Sequence, residues 1–203
     1  MGLPEALLSR ITPLSEMTEL LSERAGKGEG GGFFALNPKV DDLLERFGVE
    51  HDGTSLLVMG TVDEPGAGCV CPESAVLKAL LRHLVGLEEY SVVLDMEAGL
   101  EHLGRGTAQH VGALLIVVEP TSASARTAGR IAKLAKGLGL KVLGVILNKA
   151  ASEDAKDKVT PYLDGLQIVA VLPADPAVAE SESVPDSGPY VDAVARLRER
   201  LSG

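Results

Sequence analysis

The sequence predicts an α/β fold, a mostly parallel sheet covered by helices on both faces, and three observations predict it. Short runs of Val, Ile and Leu, among them ALLIVVE (113–119), KVLGVIL (141–147) and QIVAVL (167–172), alternate with amphipathic stretches of helical length. The runs are continuously apolar rather than alternating, which is the pattern of strands buried on both faces. Aromatic residues make up only 3% of the 203 residues and Trp is absent, so the core must come from the aliphatic side chains that such sheets use.

Taken in order, residues 13–24 (PLSEMTELLSER) place Leu14, Met17, Leu20 and Leu21 at helical spacing, and a Gly-rich stretch, 26–32, ends that helix. A second short helix is expected over 37–48 (NPKVDDLLERFG), with Asn37 as its cap, Pro38 at its first position and Gly48 as its stop. Strand 55–60 (SLLVMG) precedes helix 73–87, and strand 90–95 (YSVVLD) leads through a glycine-bearing loop to strand 113–119. Helix 122–138, strand 141–147, helix 152–163, strand 167–172 and helix 190–201 complete the alternation, with a polar loop at 181–189. The chain, 1–203, reads as a single domain of ordinary composition, 45% apolar and 24% charged.

The formal net charge is −10, from 19 basic and 29 acidic residues. Such a field repels nucleic acid and anionic lipid, so neither is an expected partner. No apolar run has the length of a membrane span and the N-terminus lacks a signal pattern, so a cytoplasmic protein is expected.

In open α/β sheets ligands bind beyond the carboxyl ends of the strands. The residues to watch therefore follow the apolar runs: 61–71, 95–99, 119–121, Asn148 and Lys149, and 173–175. The first of these holds Cys69 and Cys71 in GAGCVCP. Two thiolates two residues apart can grip one soft metal ion but cannot fill a four-coordinate shell. A two-fold homodimer supplies the second pair. On spacing alone, the two cysteines read equally as ordinary reduced thiols or as half of such a site. The four histidines, His51, His83, His102 and His110, show no paired ligand spacing and read as solvated or packing residues.

Several segments resemble the CooC-type carbon monoxide dehydrogenase maturation proteins, nickel-handling members of the MinD-like class of P-loop NTPases. They are ITPLSEMTELLSERAG, FFALNPKVDDLLERFG, LLVMGTVDEPGAGCVCPES, VVLDMEAGLEHLGRGTA, LLIVVEP and KVLGVILNK, which span nearly the whole chain in the family's order. The resemblance implies a MinD-like fold and a dimeric ATPase that assists nickel delivery to carbon monoxide dehydrogenase. It implies that Cys69 and Cys71 bind Ni²⁺, or Zn²⁺, at the dimer interface. It makes Asp95 the acid on the Mg²⁺ side of a nucleotide switch, with Glu97 and Gly99 in the switch loop. It gives Asn148 the edge of an adenine ring to read, with Lys149 beside it and the backbone of Pro173 and Asp175 framing the ring.

One family feature is missing. No G-x-x-x-x-G-K-[ST] loop, which cradles phosphates on backbone N–H groups, occurs in these residues. The GKGEGG stretch at 26–31 follows a helix rather than a strand and carries Glu29 where phosphate belongs. The similarity begins about fifty residues into the family pattern. The first strand, phosphate loop, first helix and second strand are accordingly expected to be absent. Because that first strand lies inside the family's sheet, its loss is expected to leave two unpaired strand edges. The chain itself is expected to be ATP-incompetent. A nucleotide-independent dimeric metal-binding module is the alternative. A partition or septum-positioning ATPase is disfavoured, since ARLRERLSG offers no membrane helix and the charge no DNA surface.

Overall fold

Asp52 and Gly53 both have positive φ, 47° and 71°, and this two-residue turn joins β1 (Val49–His51) to the antiparallel β2 (Thr54–Leu56). The structure, a computed structural model, describes residues 7, 9–25, 37–60, 72–87, 90–96, 111–152, 154–180 and 185–202. They belong to two compact units, Leu3–His110 and Val111–Gly203. The hairpin corrects the expectation of a single strand over 55–60: the Asp-Gly pair is a strong hairpin signal, and it turns the first residues of that run back onto Val49–His51.

The expected helix 13–24 divides into a 3-10 turn, Leu14–Glu16, and α1 (Thr18–Ala25), with Met17 between them at ψ 60°. The 3-10 turn is tied to the backbone that follows β2. The N–H groups of Leu14 and Ser15 donate to the carbonyls of Val58 and Met59, each at 2.9 Å. Gly60, at φ 83°, permits this approach, because a Cβ there would lie 2.2 Å from Ser15 Oγ and 2.7 Å from Pro13 Cβ.

The helix expected over 37–48 is only α2 (Leu43–Phe47). Asn37 does not cap it; its Oδ1 accepts from Arg82 at 3.3 Å. Gly48 stops it as expected, donating to the Leu44 carbonyl at 2.9 Å. The longer α3 (Pro72–Val85) presents Val76, Ala79 and Leu80 as one stripe, packed with Leu21, Ala25, Val40 and Leu43 into the core of this unit.

Residues 90–96 form neither strand nor helix, and Val93 is 90% exposed. The strand expected at 90–95 is thus not made. A segment becomes a strand only when neighbours take its N–H and C=O groups in a ladder; here the Tyr90 N–H donates instead to the Leu87 carbonyl at 3.2 Å.

The second unit realises the predicted architecture. β3 (Leu114–Val118), β4 (Val142–Ala150) and β5 (Ile168–Pro173) form a parallel sheet in the order β3-β4-β5. Its helices are α4 (Ser122–Gly137), α5 (Ala155–Val159), α6 (Pro176–Glu180) and α7 (Pro189–Ser202). Ile116, Val118, Val145 and Leu147 face Ala125 and Ala128 of α4 and Ala155 and Val159 of α5. The alternate residues, Ile146 and Leu172, pack with Ala193, Tyr190 and Leu197 of α7 on the other face. The helix expected over 152–163 is cut short because Pro161 cannot donate to a carbonyl four residues back; a 3-10 turn, Thr160–Tyr162, replaces it. Gly144, at φ 149°, lets β4 and β5 come together, since a Cβ there would lie 2.5 Å from Val169 Cγ1 and 2.6 Å from the Gln167 carbonyl oxygen.

Candidate functional site

The carboxyl ends of the three parallel strands carry Glu119–Thr121, Asn148–Lys149 and Pro173–Asp175, and each short segment is held by its own local chemistry. Beyond β3, Thr121 caps α4: its hydroxyl accepts the Ser124 N–H at 3.2 Å. The Ser124 hydroxyl in turn accepts the Glu119 N–H at 3.2 Å, and the Thr121 N–H donates to the Glu119 carbonyl at 2.7 Å. Glu119 therefore stands on a fixed backbone at the mouth of α4. Beyond β5, Asp175 accepts the Ala177 N–H on Oδ1 at 2.9 Å and so starts α6. The Ala174 N–H donates to the Ala150 carbonyl at 3.0 Å, tying the ends of β5 and β4 together.

The end of β4 is irregular. Leu147 is opposite Val171 and Ala150 opposite Pro173, so β4 uses three residue steps where β5 uses two. That extra residue is a bulge, and it falls on Asn148-Lys149. Lys149 takes φ 56°, a left-handed conformation that costs a side-chain-bearing residue about 1–2 kcal/mol. Two interactions offset the cost. The Lys149 N–H donates to Asn148 Oδ1 at 2.9 Å, and Lys149 Nζ pairs with Glu119 Oε1 at 2.5 Å. The pair is exposed, 65% for Lys149 and 54% for Glu119, and such pairs contribute about 0–1 kcal/mol. Asn148 itself is half-buried.

The structure thus brings four sequence-predicted residues, Asn148, Lys149, Pro173 and Asp175, to one strand-end cluster. Asp95 lies in the other unit, exposed, in the stretch 90–96, which forms no strand. Cys69, Cys71, Glu97 and Gly99 lie outside the described residues, as do His102 and His110. His51 is 3.4 Å from Asp52, and His83 is half-buried on α3. Among the described residues no three His, Cys, Asp or Glu side chains gather as a metal site. Among them too, no helix is long and apolar enough to cross a membrane. The Glu119 pairing and the bulge were not foreseen. The Glu-Pro after an apolar run marked the position, but nothing in a linear pattern announces a register shift.

The donor set fits one end of a nucleotide. An amide offering a donor and an acceptor, set at a strand end in a backbone of fixed geometry, suits the edge of a purine base. Lys149, the ammonium at this strand end, is paired with Glu119, and no G-x-x-x-x-G-K-[ST] loop occurs in the sequence.

No protein-family model matches the chain. Among solved structures it is similar to the MinD cell division protein of Aquifex aeolicus, with TM-score 0.60 and 17% identity over 80% of this chain and 73% of that one. It is also similar to a chain of the MinC:MinD cell division protein complex of the same organism, with TM-score 0.63 and 18% identity over 95% of this chain and 80% of that one. These likenesses establish the class by fold: a MinD-like α/β protein. The sequence comparison narrows the class. The chain is 48% identical over 177 residues to an uncharacterized ATP-binding protein of Methanocaldococcus jannaschii, covering 85% of this chain and 68% of that one. It is 44% identical over 182 residues to the carbon monoxide dehydrogenase accessory protein CooC of Rhodospirillum rubrum, covering 89% and 69%. The chain belongs to the CooC-type family of MinD-like P-loop ATPases.

Proposed function

We propose that this protein is an accessory factor in carbon monoxide dehydrogenase maturation that handles nickel as its cargo. The observation that carries the reading is the similarity to the Rhodospirillum rubrum accessory protein, which runs through every segment that bears a candidate residue. Cys69 and Cys71 are the proposed nickel ligands. Two thiolates supply half of a soft tetrahedral shell, and an identical pair from a second copy across a two-fold axis completes it. Zn²⁺ competes for the same sulfurs, since ligand type alone does not separate the two ions. The homodimer and carbon monoxide dehydrogenase are the proposed partners, and the cytoplasm the proposed compartment.

In the family, MgATP supplies the free energy that switches such a dimer between states. In this chain, Asn148 would meet the base edge, the backbone of Pro173 and Asp175 would frame the ring, and Lys149 would hold the Asn148 amide in place. Asp95, Glu97 and Gly99 are the proposed magnesium-side acid and switch loop. They act only where a phosphate loop completes the site, so no hydrolysis step is assigned to these 203 residues.

Equilibrium dialysis of the purified chain with Ni²⁺, and separately with Zn²⁺, tests the metal reading. Stoichiometric binding is expected and should vanish when Cys69→Ser and Cys71→Ser are combined; binding that survives the double change removes the cysteines from the site. Calorimetry with MgATP should show no tight binding, and a micromolar affinity would overturn the assignment of ATP incompetence.

A further inference from the structure

We infer that Glu119 is a positioning residue which, acting through Lys149, fixes the polarity of the Asn148 amide and so sets a preference for adenine over guanine. The inference rests on the reading of Asn148 as the group that meets the base edge, and goes beyond it by naming what orients that group.

An asparagine amide can be flipped with little change of shape, exchanging its oxygen and nitrogen. A purine-binding asparagine that flips loses its discrimination. Adenine presents a donor (N6) beside an acceptor (N7), whereas guanine presents two acceptors (O6 and N7) on the same edge. An amide with its oxygen fixed can match adenine with both ends. Against guanine it sets oxygen against oxygen.

At the end of β4 a backbone donor decides the matter. The Lys149 N–H lies 2.9 Å from Asn148 Oδ1 and can only be opposite an acceptor, so it fixes that end as oxygen and leaves the second lone pair for a ligand. This N–H is aimed there because Lys149 is in the left-handed region, at φ 56°, on the extra residue of the bulge. A lysine has no intrinsic preference for that conformation. What holds the ammonium end is Glu119, whose own backbone is anchored by the Ser124 hydroxyl and the Thr121 N–H. The chain of control runs from the cap of α4, through Glu119 and Lys149, to the Asn148 amide. Strain kept at a strand end by interactions from a neighbouring element is a common mark of a site whose geometry matters.

The 203-residue chain and its Glu119→Gln variant can be compared by NMR, with adenosine and guanosine monophosphates as probes. In the ligand-free wild type, the HN–Hα coupling and intraresidue NOE of Lys149 should report a positive φ, and in E119Q that signature should weaken as other conformers are populated. AMP should perturb the Asn148 side-chain amide more strongly than GMP in the wild type. In E119Q the ratio of the two affinities should fall toward parity by up to about fivefold, the most that an exposed pair of this kind can shift. Adding Lys149→Gly to E119Q should restore part of the preference, because glycine enters the left-handed region without the steric cost that lysine meets there. The melting midpoint should hardly move, which separates positioning from stability. If E119Q keeps both the Lys149 torsion and the wild-type preference, Glu119 positions nothing and the inference is overturned while the base site stands. If the torsion depends on Glu119 but AMP and GMP perturb Asn148 equally or not at all, Asn148 is not a base reader, and the preference assigned to Glu119 falls with it.

Discussion

Two apolar runs of similar composition meet different fates in this molecule. In the C-terminal unit, β4 is hydrogen-bonded on both edges, to β3 and β5, with Val145 and Leu147 fully buried. In the N-terminal unit, the run YSVVLD forms no ladder among the described residues, and Val93 is 90% exposed. The difference lies in the neighbours. A parallel strand is a property of three segments at once, since each edge needs a partner brought from a distance along the chain. Helices such as α4, whose bonds close within the segment, depend much less on such partners.

The comparison is broken or upheld most directly by truncating one residue in each run. Leu147→Ala opens a cavity between β4 and the helices α4 and α5 and should cost about 2–5 kcal/mol in urea unfolding. Val93→Ala, made at an exposed position, should change stability by no more than about 0.5 kcal/mol. A Val93 effect as large as that of Leu147 would mean that 90–96 is packed as a strand after all.

A smaller effect is expected where backbone geometry rather than apolar burial is changed. Gly144→Ala forces a Cβ to within 2.5 Å of Val169 Cγ1 at φ 149°, and should cost about 1–3 kcal/mol. Its signature is local: faster hydrogen exchange at the Val145 N–H, which donates to the Gln167 carbonyl at 2.8 Å. Gly60→Ala should instead speed exchange at the N–H groups of Leu14 and Ser15, the two bonds its Cβ would disrupt. Unchanged exchange in either variant would show that the close approach is not needed there.

The same contrast explains what could be read in advance. The parallel β3-β4-β5 sheet, the helices α4 and α7 and the strand-end placement of Asn148, Lys149, Pro173 and Asp175 followed from apolar runs of strand length between amphipathic stretches, because here periodicity and tertiary partners agree; α6 gave no such signal. The hairpin at Val49–Leu56 was legible in Asp52-Gly53 and was missed because the longer apolar run SLLVMG outweighed the turn signal. The break of the first helix at Met17 was not legible, and neither was the pairing of Leu14 and Ser15 with Val58 and Met59, more than forty residues away in sequence. Nor could the bulge at Lys149 be read, since register is settled between strands and not within one.

The least of the expected effects concerns charge. Asp42 joins separate elements, accepting from Arg24 of α1 at 2.8 Å and from Arg46 of α2 at 3.0 Å. The Arg46 bond, foremost, and the Arg24 bond outweigh partial burial and hold its carboxyl at about 2, below the usual 3.8. A carboxylate lowered on folding stabilises the folded state above its unfolded value, and that contribution is lost as pH falls toward the folded one. Asp42→Asn should therefore lower the melting midpoint at neutral pH, and the gap from wild type should shrink between about pH 4 and pH 2. Asp154 is also lowered, by the Ser152 hydroxyl first and then by Lys158, but it ties together only neighbours along the chain at the start of α5. Acid should accordingly disturb NMR signals of Leu21 and Leu43 before those of Val145 and Leu147. Loss of the C-terminal signals first would show that Asp42 does not govern the acid response of its unit.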